Sequence, residues 1–78
     1  MSQPTIRTQI RLELLRSSDR LRAASEEVAE AIEALDRGDF YEDRLGNALI
    51  EASIAQAQMH QARGMQRVAS LASEAVLR

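Results

Sequence analysis

Leu14, Leu21, Val28 and Leu35 recur every seven residues, and Ile10, Ser17, Ala24 and Ala31 occupy the companion position between them. This is the a/d seam of a helix sustained for about four heptads, with large residues at one position and small ones at the other. From Phe40 onward the arrangement repeats. Leu45, Ala52 and Met59 hold one seam position, while Ala48, Ala55, Ala62 and Ala69, followed by Val76, hold the other. Small residues at alternate layers let two helix axes approach closely, and a large residue on the facing helix can fill each gap. The pattern predicts an all-α fold, an antiparallel two-helix hairpin packed large against small. Helix one is expected at 5–37, the turn at 37–39 and helix two at 40–76, in one domain covering 1–78.

The punctuation agrees with that division. Pro4 stands where the first turn of a helix tolerates it, and no glycine follows until Gly38. Gly38 suits the left-handed residue that closes helix one, and Asp39 with Glu42 three positions later has the spacing of a capping box opening helix two. The tripeptide Arg37-Gly38-Asp39 thus reads as a turn. As an adhesion ligand it would need a flexible extracellular loop. At 1.5 Å per residue the two helices would be about 50 and 55 Å long, so a thin rod is expected.

Helix two carries a second apolar face. Ile50, Ala57, Gly64 and Leu71, flanked by Ile54, Val68 and Ala75, lie about 150° round the wheel from its seam. Opposite the seam of helix one stand Arg16, Arg20, Glu26, Glu27 and Glu30, with Leu12 and Leu15 as a small apolar patch. A helix apolar on two sides belongs inside a bundle. The simplest cover is a twofold homodimer in which these second faces meet in a four-helix bundle, a different helical partner on the same face being the competing reading.

Composition narrows the class. A chain of 78 residues holds one small core, and its two aromatics, Phe40 and Tyr41, leave Ala, Leu, Ile and Val to supply the apolar content. With no cysteine, disulfides and thiolate metal sites are excluded, and without a charged-then-apolar leader the expected location is a reducing cytoplasm. No apolar run approaches the ~18 residues a membrane span needs. All ten basic residues are arginine, as GC-rich bacterial or phage coding produces.

Charge is segregated along the rod. Residues 1–22 carry five Arg against Glu13 and Asp19, a balance of +3; residues 25–51 carry nine acids against Arg37 and Arg44, a balance of −7; residues 52–78 carry three Arg against Glu74, a balance of +2. Folding the hairpin gives a positive open end and a negative turn end. Asp36, Asp39, Glu42 and Asp43, with Phe40 and Tyr41, form an acidic tip able to meet a basic groove. Direct nucleic-acid binding is not expected, because the net charge is −2 and no aromatics interleave with the arginines. The acidic tip could instead act as a decoy in a partner's nucleic-acid-binding groove.

With one His and no Cys, no paired His ligands, Ser/His/Asp set, Gly-rich phosphate loop or Cys nucleophile can be assembled, so the chain is expected to be non-enzymatic, with no cofactor or metal. Three local resemblances bear on function. His60 to Gly64, HQARG, resembles the H-x-x-K/R-G motif of histidine phosphotransfer domains, which implies His60 as phosphoacceptor, Arg63 as a phosphate contact and Gly64 as room for a response regulator. Met65 replaces the small residue expected next. LRAASEEVAEAIEAL, Leu21 to Leu35, is similar to the first helices of type VII secreted hairpins, whose W-x-G turn is replaced here by RGD. RGDFYEDRLGNALIEA resembles the turn and second helix of a tetratricopeptide repeat, but the seams run longer than that ~34-residue unit and no second copy exists. The reading that uses most residues is a protein interaction module, a small regulator, adaptor or inhibitor built on a homodimeric bundle.

Overall fold

A computed structural model describes the backbone of residues 5–77 and the side chains of residues 5–73; Pro4, Arg78 and the side chains of Ala75 and Val76, used above, lie outside these. It has two helices packed against each other, α1 (Ile6–Arg37) and α2 (Glu42–Leu77). The rod measures 63 × 27 × 13 Å, and its radius of gyration is 18.1 Å, against about 11.5 Å for a compact domain of this length.

Both ends of α1 have an identifiable stop. Thr5 caps α1, its hydroxyl accepting from the Thr8 N–H at 3.2 Å. At the other end Gly38 has φ 76°, its N–H donates to Leu35 O at 3.0 Å, and the Asp39 N–H donates to Ala34 O at 2.8 Å. These are the paired bonds of a Schellman motif, and they satisfy carbonyls that the helix leaves open. Gly38→Ala places a Cβ in the left-handed region, and a urea titration is expected to show a loss of about 1 kcal/mol.

The capping-box spacing is not used. α2 begins at Glu42 rather than Phe40, with the carbonyl of Tyr41 accepting from the Arg44 and Leu45 N–H groups. Asp39 instead accepts from Arg37 Nε at 3.0 Å, so the arginine and aspartate of the tripeptide are paired with each other across Gly38. Glu42 and Asp43 in the first turn of α2 complement its dipole, as Arg37 does at the end of α1.

The core corrects the expected large-against-small packing. Among the described residues the buried apolar ones are all alanines, Ala24, Ala31, Ala34, Ala48, Ala55 and Ala62, joined by Ser17 and Glu13. Ala31 and Ala48, Ala24 and Ala55, and Ser17 and Ala62 lie at equal sequence distances from the turn, so small residue stacks on small residue layer after layer. Methyl groups on both sides let the axes approach closely, which favours turning the leucines out of the seam. Leu14, Leu21, Val28 and Leu35 are displaced to one edge, where they remain between 42% and 56% exposed. Because burial recurs every seventh residue along both helices, the pair supercoils rather than drifting out of contact. The Ser17 hydroxyl satisfies itself by donating to Glu13 O at 2.9 Å.

Candidate interaction surfaces

Around the alanine axis the hairpin presents unlike flanks. On the polar flank charges cross between the helices: Arg20 to Glu51 at 2.9 Å, and Arg44 to Glu30 at 2.7 Å and Glu27 at 3.5 Å. A shallow cleft of about 560 Å³ runs along it, lined by Arg16, Asp19, Arg20, Ala23, Glu51 and Gln58. Arg16 is tied to Glu13 at 2.9 Å, so this cleft's charges are largely met from within. Half-exposed ion pairs of this kind each contribute about 0 to 1 kcal/mol, and they fix register more than stability.

The opposite flank is apolar. Here a groove of about 250 Å³ is lined by Ile10, Leu14, Met59, Ala62, Arg63 and Gln66. Heptad steps from these residues stay on the same side, which carries Leu21, Val28 and Leu35 along α1 and Gln56 and Leu49 along α2. Leu49 is 70% exposed and Ile32, one turn from Val28, 54%. Leu14, Leu21, Val28, Ile32 and Leu35 on α1 thus share one side of the rod with Leu49 and Met59 on α2, with Gln56, Arg63 and Gln66 set among the latter. Exposed apolar side chains grouped in this way make the flank a candidate association face.

The outer face of α2 is the third surface. Ile50, Val68 and Leu71 are 60–65% exposed, Ile54 is half-buried, and Ala57 and Gly64 are exposed. Gly64 makes no close approach, since a Cβ there would meet open space. The structure therefore places these candidate interface residues together on one surface, distinct from the apolar flank. His60 is exposed, among neighbours that include exposed Gln61 and Arg63.

At the turn, Asp36, Asp39, Glu42 and Asp43 are exposed, Phe40 is 74% exposed and Tyr41 is half-buried. Asp43 Oδ1 accepts from the Arg44 backbone N–H at 2.9 Å and Asp39 is held by Arg37, so Asp36, Glu42 and Asp43 are the tip carboxylates that meet no cation among the described residues. No group of three or more metal-ligating side chains occurs among the described residues, and no described helix is long and apolar enough to cross a membrane.

The seam pattern alone did not reveal the apolar flank. The signal that could have found it is the phase of the small residues: an alanine ladder on α2 set against Ser17, Ala24 and Ala31 at matching distances from the turn leaves the leucines no inward position. Compared with protein-family models, curated proteins and solved structures, the chain matches none, so the reading of these surfaces rests on their geometry.

Proposed function

We propose that this chain is a non-enzymatic protein interaction module of a reducing compartment, which assembles as a homodimeric four-helix bundle and acts as a small regulator, adaptor or inhibitor. One observation carries the reading: among the described residues the only buried apolar side chains are alanines, while most of the large aliphatic residues stay exposed and the rest are only half-buried. Fully burying a leucine or isoleucine contributes about 1.5–3 kcal/mol, against about 0.8 kcal/mol for a single carbon of alanine size. A hairpin that spends its contact surface on methyl groups forgoes most of what its composition offers, and a second layer of helices recovers it.

The surface area makes the same point. The chain exposes 6329 Å², about 1,600 Å² more than a compact monomer of 8.7 kDa, which exposes about 4,700 Å². A standard interface removes only about 800 Å² from each partner, so ample surface remains for a further protein after self-association. The outer face of α2, with Ile50, Ile54, Ala57, Gly64, Val68, Leu71 and Ala75, and the acidic tip around Phe40 are the surfaces through which such a partner would be held. Sedimentation equilibrium on the full chain tests the assembly. A mass of twice 8.7 kDa is expected at micromolar concentration, and a folded monomer at high micromolar concentration would refute it.

A further inference from the structure

We infer that the second copy docks on the apolar flank in antiparallel orientation, α1 against α1 and α2 against α2, with the open end of each hairpin lying on the turn end of the other. The inference rests on the homodimer proposed above and specifies its face and its orientation.

The charge distribution sets the orientation. Arg7, Arg11, Arg63 and Arg67, all toward the open end, make no ion pair with any described residue, and neither do Asp36 and Glu42 at the turn end. Of the charges that do pair within the chain, Glu13, Arg16, Arg20, Glu27, Glu30, Arg44 and Glu51 belong to the polar flank or its margin, and Arg37 is met by Glu33 and Asp39 beside the turn. Two hairpins laid flank to flank with open ends together would stack arginine on arginine and carboxylate on carboxylate. Reversing one of them lays the cationic open end of each hairpin on the acidic turn end of the other.

Two apolar flanks can meet with the rods reversed only about a twofold axis that crosses the rod, and that axis brings each helix onto its own copy. The residues are spaced for it. On α1, Leu14 and Leu35, and Leu21 and Val28, are symmetric about the level between Ala24 and Ser25. On α2, Leu49 and Met59 are symmetric about Ile54, which lies level with Ser25 when residues are counted outward from the turn. One axis therefore serves both helices, placing Leu21 against Val28 of the second copy and Leu49 against its Met59. Ser25, exposed and in the same heptad column as Ile32, falls beside the axis, where its small side chain lets the two α1 helices come close.

Because the chain has no cysteine, single-cysteine variants report this directly. In the antiparallel dimer the two copies of position 25 are within the roughly 7 Å between Cα atoms that a disulfide spans, whereas copies of position 18 are about 20 Å apart along the rod. Mild oxidation is expected to convert Ser25→Cys to a disulfide-linked dimer of doubled mass on a non-reducing gel, with Ser18→Cys remaining single. Both positions are exposed, and circular dichroism checks that each variant keeps its helices. If sedimentation gives a dimer but Ser25→Cys does not crosslink, or Ser18→Cys crosslinks as readily, the orientation is wrong while the homodimer stands. A folded monomer in sedimentation removes both.

Discussion

Replacing Ala55 with leucine is expected to cost about 3 kcal/mol and to take most of the chain's cooperative melting transition with it, at the upper end of what overpacking a core does. Ala55 is 0% exposed, between the layers of Ala48 and Ala62. The three added carbons have nowhere to go, because the axes are already set by methyl contact on both sides of the seam. They can be accommodated only by parting the helices over several layers, which loosens Ala24, Ala31 and Ala62 together and strains the Arg20–Glu51 and Arg44–Glu27 pairs that cross nearby. The matching control is Ala57→Leu, on the exposed outer face, where the same change adds a helix-favouring side chain in open surroundings and is expected to stay within about 0.5 kcal/mol. Thermal and urea melts of the two variants followed by circular dichroism make the comparison. Equal stability would mean that the hairpin is not built on a small-residue core.

Leu21→Glu is expected to weaken self-association by at least about 100-fold, or roughly 3 kcal/mol, by placing a carboxylate in the middle of the apolar flank. Leu21 is 46% exposed in the hairpin, so the monomer accepts the glutamate with little loss; the penalty is felt when the second copy removes the remaining water. Leu71→Glu, on the outer face of α2, provides the contrast, since its charge stays in solvent when the apolar flanks meet. Analytical ultracentrifugation over a concentration series separates the two. Dissociation by Leu71→Glu with Leu21→Glu still dimeric would transfer the homodimer interface to the outer face of α2 and overturn the assignment made here.

Much of this fold could be read from the sequence because helix and turn are decided locally. Seven-residue recurrence, a first glycine that comes only at position 38 and the absence of interior proline dictate two helices and their break, and Gly38 takes the left-handed conformation its position suggests. What the pattern did not decide is which of two adjacent seam columns faces inward. Leu14, Leu21, Val28 and Leu35 and the column of Ser17, Ala24 and Ala31 differ by less than half a turn of rotation about the α1 axis, and hydrophobicity favours turning the leucines in. Packing favours the reverse, since methyl against methyl lets backbone approach backbone. Asp39 shows the same limit at a smaller scale. Its spacing from Glu42 fits a capping box, yet an arginine two residues away competes for the carboxylate and wins. For the outer face of α2 the wheel sufficed, because Ile50, Val68 and Leu71 need only a regular helix to share a side.

The alanine core also sets how the chain responds to its own abundance. Where a fold is completed by a second copy, its stability includes a term that rises with the logarithm of chain concentration, and dilution acts as a denaturant. A dilute pool of such chains would spend more time opened along its length, as substrate for proteases, and a concentrated pool would protect itself. Turnover would then fall steeply once synthesis passes the dimer's dissociation constant. A hairpin with leucines buried between its helices would have no such threshold, so in the proposed homodimer the row from Ala24 to Ala62 would tie the molecule's lifetime to its level of expression.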